Sequence, residues 1–83
     1  MDTTQHVKRI LGDTLQLGAR ADSLNASSRL LGAIPEFDSM AVVTVITMLE
    51  EQFDFTVADD EVSADVFETL GTLVAFVEGK LDS

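Results

Sequence analysis

The residues with the clearest chemical potential stand together in PEFDSMAVV, residues 35–43, where an acid and a serine lead into an apolar run. Serine and aspartate are favoured at helix starts, because the side-chain oxygen accepts a backbone N–H that has no partner in the helix. The same helix end carries a partial positive charge and favours a bound or attached phosphate. Ser39, preceded by Asp38, therefore indicates either a plain helix cap or a hydroxyl that carries a phosphodiester.

The rest of the sequence offers Ser39 no catalytic partner. His6 is the only histidine, and we expect it to be solvated in the first turn of another helix. No lysine occurs between Leu30 and Gly79, so a serine nucleophile with an adjacent base is not expected. The chain has no cysteine, which excludes disulfides and cysteine-ligated metal sites. We therefore predict a protein that is not an enzyme.

A dense group of acids occupies residues 54–65, with five carboxylates. This stretch does not match a calcium-binding EF-hand loop that begins at Asp54. Thr56 and Ala58 would occupy the third and fifth positions, which need acidic or amide ligands, and Asp59 would occupy the sixth, which needs glycine. We expect these carboxylates to be solvated and predict no metal site; weak binding of divalent cations is the alternative.

Charge is distributed unevenly along the 83-residue chain, whose formal net charge is −10. Residues 1–29 hold four bases and three acids, whereas Leu30 to Glu78 holds eleven acids and no base. A surface of one sign repels nucleic acid and attracts proteins with basic patches. The length suits one domain, residues 1–83, and no stretch is long and apolar enough for a membrane span or resembles a signal peptide. We expect a monomeric, cytoplasmic protein that binds other proteins.

Apolar residues repeat at helical spacing in three parts of the chain. We predict one helix from Thr3 to Leu17, a second from Asp38 or Ser39 to Phe53, and a last one that opens at Thr69 and ends near Leu81, with one or two short helical turns in DDEVSADVF. The expected core stripes are Val7, Ile10, Leu11, Leu15 and Leu17; Val42, Val45, Ile46, Leu49 and Phe53; and Leu70, Leu73, Val74, Val77 and Leu81. This is an all-α fold with three longer helices and one short one.

A long connection, Gly18 to Asp38, joins the first two predicted helices and is rich in Ser, Ala, Gly and Asn. Its length is unusual for a loop without structure inside a small domain. We expect an ordered loop packed over the helix ends and pinned to the core by its larger apolar residues, Leu24, Leu30, Leu31, Ile34 and Phe37. In the last helix, Gly71 and Gly79 should each cost about 1 kcal/mol relative to alanine.

Four stretches together resemble acyl carrier proteins and the related peptidyl and D-alanyl carriers: DSM at the serine, LEEQFDF at the end of that helix, the acidic ADDEV, and TLGTLVAFV in the last helix. The resemblance covers residues 30–81 and reaches the first helix by pattern only. It implies a four-helix bundle in which Ser39 carries a covalent 4′-phosphopantetheine arm, installed from coenzyme A by a phosphopantetheinyl transferase. Acyl or aminoacyl groups would then ride on the arm's thiol as thioesters.

The same resemblance implies a docking face for partner enzymes. Asp38 and Met40 flank the serine in the family's manner, and Glu50 and Glu51 correspond to acids that face the partners. These partners would be acyl-transferring or acyl-activating enzymes with basic docking patches. Val43 adds a further apolar residue to this face.

Three departures distinguish the chain from many carriers of fatty acid synthesis. PEF stands where many have a glycine shortly before the Asp-Ser pair, and Ala41 stands where many have an acid. Thr44 and Thr47 occupy the middle of the helix, where a further acid is usual. These departures favour a specialised carrier over the housekeeping one. The alternative is an unmodified small acidic helical adaptor that binds a basic or amphipathic protein.

Overall fold

The computed structural model describes residues 3–82 of the chain. They form the α-helices α1 (Thr3–Thr14), α2 (Ser39–Phe53) and α3 (Leu70–Asp82), and the 3₁₀ helices Gly18–Ser23, Asp59–Glu61 and Ala64–Phe67. Within residues 3–82, β pairing is limited to one isolated bridge between Arg29 and Thr69. The predicted all-α fold with three longer helices is confirmed. No helix in this part of the chain has both the length and the apolar character to span a bilayer.

The apolar stripes of the helices meet in one core, because α1 packs against both α2 and α3. The buried residues are Val7, Ile10, Leu11, Leu15, Leu17, Ala21, Leu30, Ile34, Phe37, Val45, Leu49, Phe67, Leu70, Leu73, Val74 and Val77. The predicted stripes are therefore largely correct. Val42, Ile46 and Phe53 are partly buried against this core, whereas Leu81, in the last turn of α3, is 44% exposed.

Helix α1 ends at Thr14 rather than at the predicted Leu17. Gln16 takes a left-handed backbone conformation with φ of 56°, and such a residue ends a helix. Gly18, a residue type often found just after a helix, is also left-handed, with φ of 59°, but it lies two residues after Gln16. Leu17 is nevertheless buried, because the chain turns back and the Leu17 N–H donates to the Gly12 carbonyl at 3.0 Å.

His6 is not the solvated residue that the sequence suggested. It is half-buried, and its ring lies 4.5 Å from the ring of Phe53, centroid to centroid. Its Nε2 lies 3.4 Å from Oε1 of Gln52. The histidine therefore joins the start of α1 to the end of α2.

Asp38 caps helix α2. Its backbone is extended, and its Oδ1 accepts a hydrogen bond from the N–H of Ala41 at 2.9 Å. At the other end Asp54 is left-handed, with φ of 57°, and its N–H donates to the Glu50 carbonyl. The predicted range of this helix is confirmed, and Asp38 rather than Ser39 supplies the capping oxygen.

Helix α3 opens as predicted, since Oγ1 of Thr69 accepts from the N–H of Thr72 at 3.1 Å. Backbone carbonyls of another segment accept from the first N–H groups of α3. Residues 26–31, which we call the strap, run antiparallel to residues 67–71 and are joined to them by four backbone hydrogen bonds: Leu70 to Ser28 at 2.9 Å, Gly71 to Ala26 at 3.0 Å, Leu30 to Glu68 at 3.0 Å and Leu31 to Phe67 at 3.0 Å, donor first.

The loop from Gly18 to Asp38 is thus ordered and packed over the helix ends, as predicted. Leu30, Ile34 and Phe37 are buried, and the Phe37 ring meets the Phe67 ring edge-on at 5.6 Å. Leu31 does not join them. It is 38% exposed, so the expectation that it pins the loop to the core is wrong.

The segment after α2 is tied to α3 by an ion pair. Nζ of Lys80 donates to both carboxylate oxygens of Glu61, at 2.8 and 3.0 Å. Oε1 of Glu61 also accepts from the N–H of Ala58 at 3.0 Å. The bond from Lys80, followed by the bond from Ala58, holds the pKa of Glu61 below its ordinary value.

Capping by Asp38 gives a first prediction. Asp38→Ala should lower the free energy of unfolding by about 1 kcal/mol, because the Ala41 N–H loses its acceptor. Ser39→Ala should change it by less than about 0.5 kcal/mol, as expected for an exposed side chain without a structural partner. Urea denaturation followed by circular dichroism measures both. Equal losses for the two variants would show that the serine shares the capping role.

The Glu61–Lys80 pair gives a prediction about pH. Because the pKa of Glu61 is lower in the folded state than in the unfolded state, the ionised group stabilises the fold above its unfolded pKa. That stability is lost as pH falls through the folded pKa. Glu61→Gln should therefore be less stable than wild type at neutral pH, and the gap should close in acid. Urea denaturation over this pH range measures the gap, with Glu78→Gln, an exposed carboxylate of α3, as control. A constant gap would contradict the assignment.

Candidate functional site

Ser39 is the first residue of α2 and its side chain is exposed. Asp38 performs the capping, and the Ser39 hydroxyl makes no hydrogen bond with the described part of the chain. The backbone N–H groups of this first turn point toward the helix end, where the helix dipole favours negative charge. The sequence question about Ser39 thus has a structural answer: its hydroxyl is left free at a place that suits a phosphate.

The chain reaches this site through a stretch that is held from both sides. Phe37 anchors it in the core. On the surface, the Arg20 guanidinium donates to both carboxylate oxygens of Glu36, at 2.7 and 3.2 Å. This bond lowers the pKa of Glu36 and ties the approach to Ser39 to the 3₁₀ helix Gly18–Ser23.

An apolar groove of about 330 Å³ opens beside Ser39. One wall comes from α2, the facing wall comes from residues 62–67, and Leu31 of the strap contributes to the lining. The lining residues are Leu31, Ser39, Val42, Val62, Ser63, Ala64 and Phe67. The groove explains why Leu31 is not in the core. It also gives Ser39 an apolar neighbourhood into which a group attached to its hydroxyl could fold.

A larger hollow of about 370 Å³ lies elsewhere, between α1 and the 3₁₀ helix Gly18–Ser23. Its charged lining residues are Lys8, Arg9, Asp13 and Asp22. These two positive and two negative charges balance, and Ser39 is not part of the lining. Ser39 lines only the smaller, apolar groove of the two.

The outer face of α2 carries no charge over its first two turns. Met40 is 73% and Val43 60% exposed, and the neighbouring Thr44 and Thr47 are exposed as well. The two threonine hydroxyls donate to the carbonyls four residues earlier, at 3.2 and 3.0 Å. Their donors are therefore used within the helix, which makes this face more apolar than its residue types suggest.

The two acids predicted for the docking face differ in the structure. Oε2 of Glu50 accepts a hydrogen bond from the N–H of Val57 at 2.8 Å, and the residue is half-buried. Glu51 is exposed. Asp38, Met40 and Val43 surround Ser39, whereas Glu51 lies about 18 Å further along the helix at 1.5 Å per residue. The role of both acids in docking stays a prediction, but Glu50 also has a structural bond.

The sequence did not reveal the groove. Leu31 stands next to the buried Leu30, and nothing in the local pattern tells the two apart. Val62 and Ala64 lie in short 3₁₀ turns and their flanks, where periodicity carries little information. The only signal in the sequence is Leu31 itself, an apolar residue that lies between two predicted helices and belongs to neither apolar stripe.

Comparison with known proteins agrees with this geometry. A family model described as a phosphopantetheine attachment site matches residues 5–77. An acyl carrier protein from Helicobacter hepaticus is 32% identical over 78 residues, which are 94% of this chain and 96% of the relative. The solution structure of a holo acyl carrier protein from Nitrosomonas europaea is 63% identical, covers 100% of both chains and superposes with a TM-score of 0.92.

These similarities confirm the resemblance, the bundle fold, the covalent phosphopantetheine cofactor and a carrier rather than an enzyme, and they decide against the unmodified adaptor. Family members work with phosphopantetheinyl transferases and acyl-handling enzymes. The chain belongs to the acyl carrier protein family, whose members carry acyl groups on a covalently attached phosphopantetheine.

Proposed function

We propose that Ser39 is the residue that carries the phosphopantetheine arm, and that enzymes handling the acyl group dock on the outer face of α2. One observation carries the proposal: Asp38 caps the helix, so the exposed Ser39 hydroxyl is free at the helix start and opens onto an apolar groove. A phosphodiester formed there gains from the helix dipole.

The attachment reaction has a simple balance. Oγ of Ser39 attacks the phosphorus of coenzyme A that bears the pantetheine, the bond from phosphorus to the adenosine bisphosphate breaks, and the hydroxyl proton leaves. His6, the only histidine of the chain, is not placed to take that proton, because it packs against Phe53, about 21 Å along α2 from Ser39 at 1.5 Å per residue. The Asp38 carboxylate is engaged in the cap. We therefore assign the proton acceptor to the transferase.

The groove favours an acyl over an aminoacyl cargo. Its lining is aliphatic and aromatic except for two serines. An acyl chain placed there would bury apolar surface, worth about 25 cal/mol per Å². The ammonium of an aminoacyl group would instead lose its hydration without a counter-charge, which is costly.

The docking face has an apolar part and an acidic part. Met40 and Val43 stand beside Ser39 and are the most exposed large apolar residues within residues 3–82. Asp38 adds a charge at the helix start, and Glu51 adds one at the far end, with Glu50 half-buried beside it. A partner that reaches the arm must cover this surface. Acids at its margin would steer basic partners and raise the association rate.

The face also supports a specialised carrier. Ala41, Thr44 and Thr47 leave the middle of α2 without charge, and the threonine hydroxyls are satisfied by the helix itself. Partners that bind next to the serine would then use apolar contacts and would meet acids only at the edge. A housekeeping carrier with acids along the same face would depend more on charge.

The attachment residue can be tested by mass. Incubation of the chain with coenzyme A and a broad-specificity phosphopantetheinyl transferase should add the mass of one arm to wild type and none to Ser39→Ala. Ser63→Ala is the matched control, because Ser63 is an exposed serine that lines the same groove. It should be modified like wild type. Loss of modification in the Ser63 variant, with retention in the Ser39 variant, would move the arm to the other serine.

The docking face can be tested through the transferase rate. Glu51→Lys should slow arm transfer, chiefly by slower association, and flatten the fall of the rate with added salt. Met40→Ala should slow it with little change in the salt dependence. Glu50→Lys should also lower stability, because the Val57 N–H loses its acceptor. Glu78→Lys makes the same charge change on α3 and should leave the rate near wild type. Equal effects at positions 51 and 78 would mean that net charge matters and the face does not.

A further inference from the structure

The two walls of the groove are held differently. The α2 wall is fixed because α2 packs against α1. The facing wall, the 3₁₀ helix Ala64–Phe67, packs against α3, and no comparably extensive packing joins it to α2 among the described residues. Two further contacts hold this second wall: the edge-on contact of Phe67 with Phe37 inside the core, and the backbone bonds to the strap at its outer end. The width of the groove therefore depends on the strap as well as on the core.

The strap holds that end. The N–H groups of Leu30 and Leu31 donate to the carbonyls of Glu68 and Phe67, each at 3.0 Å. Phe67 lines the groove, and Leu31 lines it from the strap itself. A shift of the strap would therefore move both residues, whereas α2 and Ser39 would stay in place.

The strap is anchored at its far end by a close contact with the start of α3. The Gly71 N–H donates to the Ala26 carbonyl at 3.0 Å. A Cβ at position 71 would lie 2.9 Å from that oxygen, closer than a carbon and a carbonyl oxygen normally approach. Gly79 lies in the same helix, and a Cβ there would meet nothing within 4 Å.

We infer that Gly71 is a positioning residue, which lets the strap lie against α3 and thereby sets the width of the groove that takes the apolar cargo. The inference rests on the proposed function only where it says that the groove takes an acyl cargo. A methyl group at position 71 must push away the Ala26 carbonyl. The four backbone bonds of the strap then loosen together, and the outer end of the Phe67 wall loses its hold. The glycine that sequence reasoning counted as a weak point of α3 is required by this contact.

The test uses holo protein loaded with an octanoyl or an acetyl thioester. Hydroxylamine attacks the thioester carbonyl and releases the arm as its thiol, so the cleavage rate reports how far the groove protects the cargo. In wild type, octanoyl should be cleaved more slowly than acetyl, which is too short to occupy the groove. Gly71→Ala should speed octanoyl cleavage by about threefold or more, because a groove that opens more often exposes the octanoyl thioester for a larger fraction of the time. It should leave acetyl cleavage unchanged.

Two alanine variants serve as controls. Gly79→Ala adds a methyl group to α3 in open space, and it should keep the wild-type rates. Gly12→Ala places a Cβ 2.9 Å from the Cβ of Ala21, away from the strap, so it tests general loss of packing. If it speeds octanoyl cleavage as much as Gly71→Ala does, or if Gly71→Ala leaves the rate unchanged, the inference is overturned.

A second measurement needs no arm and separates this inference from the proposed function. In the unmodified chain, amide hydrogen exchange at Leu30 and Leu31 should be faster in Gly71→Ala than in Gly79→Ala by about tenfold. If Gly71→Ala does not fold, wild type alone suffices. The amides of Leu30, Leu31, Leu70 and Gly71 should then exchange through one common opening, and unrelated protection of the four would contradict the strap. Absence of the arm from Ser39 would instead refute the proposed function.

Discussion

The structure around the serine depends on the hydrogen bond from the Ala41 N–H to Oδ1 of Asp38. A helix start needs an acceptor for its unpaired N–H groups, and a serine beside an aspartate could have supplied it. Because Asp38 does so, Ser39 becomes the first helical residue, with a free hydroxyl. The position that suits a cap and the position that suits a phosphodiester are adjacent; Asp38 takes the first role, and the second is the one we propose for Ser39. The outer face of α2, on which we propose that partner enzymes dock, begins at the same helix start with the exposed residues Met40 and Val43.

The remaining elements position that helix start and the groove beside it. Phe37 and the Arg20–Glu36 pair fix the chain before the serine, and α1 fixes α2 behind it. The strap takes part in both tasks, since it leads toward Ser39 at one end and holds the Ala64–Phe67 wall by its backbone bonds. A carrier needs a rigid attachment point together with a groove whose contents can leave. A well-packed α2 meets the first need, and the second would be met by the facing wall, whose outer end is held by backbone hydrogen bonds to the strap.

Much of the helical fold could be predicted from the sequence, because helices are recognisable from the spacing of their apolar residues and from their capping residues. The stripes of α1, α2 and α3 and the Thr69 cap are local features. The misses are features of the tertiary structure. His6 is half-buried because Phe53 lies across from it, and Leu31 is exposed because the groove runs beside it. Neither fact is encoded in the neighbouring residues. Gln16 ended α1 where a glycine two residues later looked more suitable.

Glu50 and Gly71 show that contacts with the backbone of a distant segment are equally hard to predict from the sequence. A glutamate near the end of a helix looks like surface charge, yet its carboxylate satisfies the Val57 N–H. A glycine inside a helix looks like a defect, yet it admits the Ala26 carbonyl. Backbone hydrogen bonds between distant segments leave no mark in residue type, except at positions where only glycine fits.

The most direct test of the account is a proton–phosphorus correlation spectrum of the holo protein. We expect a single phosphodiester resonance that couples through bonds to the β-protons of Ser39, while the Ala41 amide stays protected by its bond to Asp38. Coupling of the phosphorus to the β-protons of any other serine would contradict it.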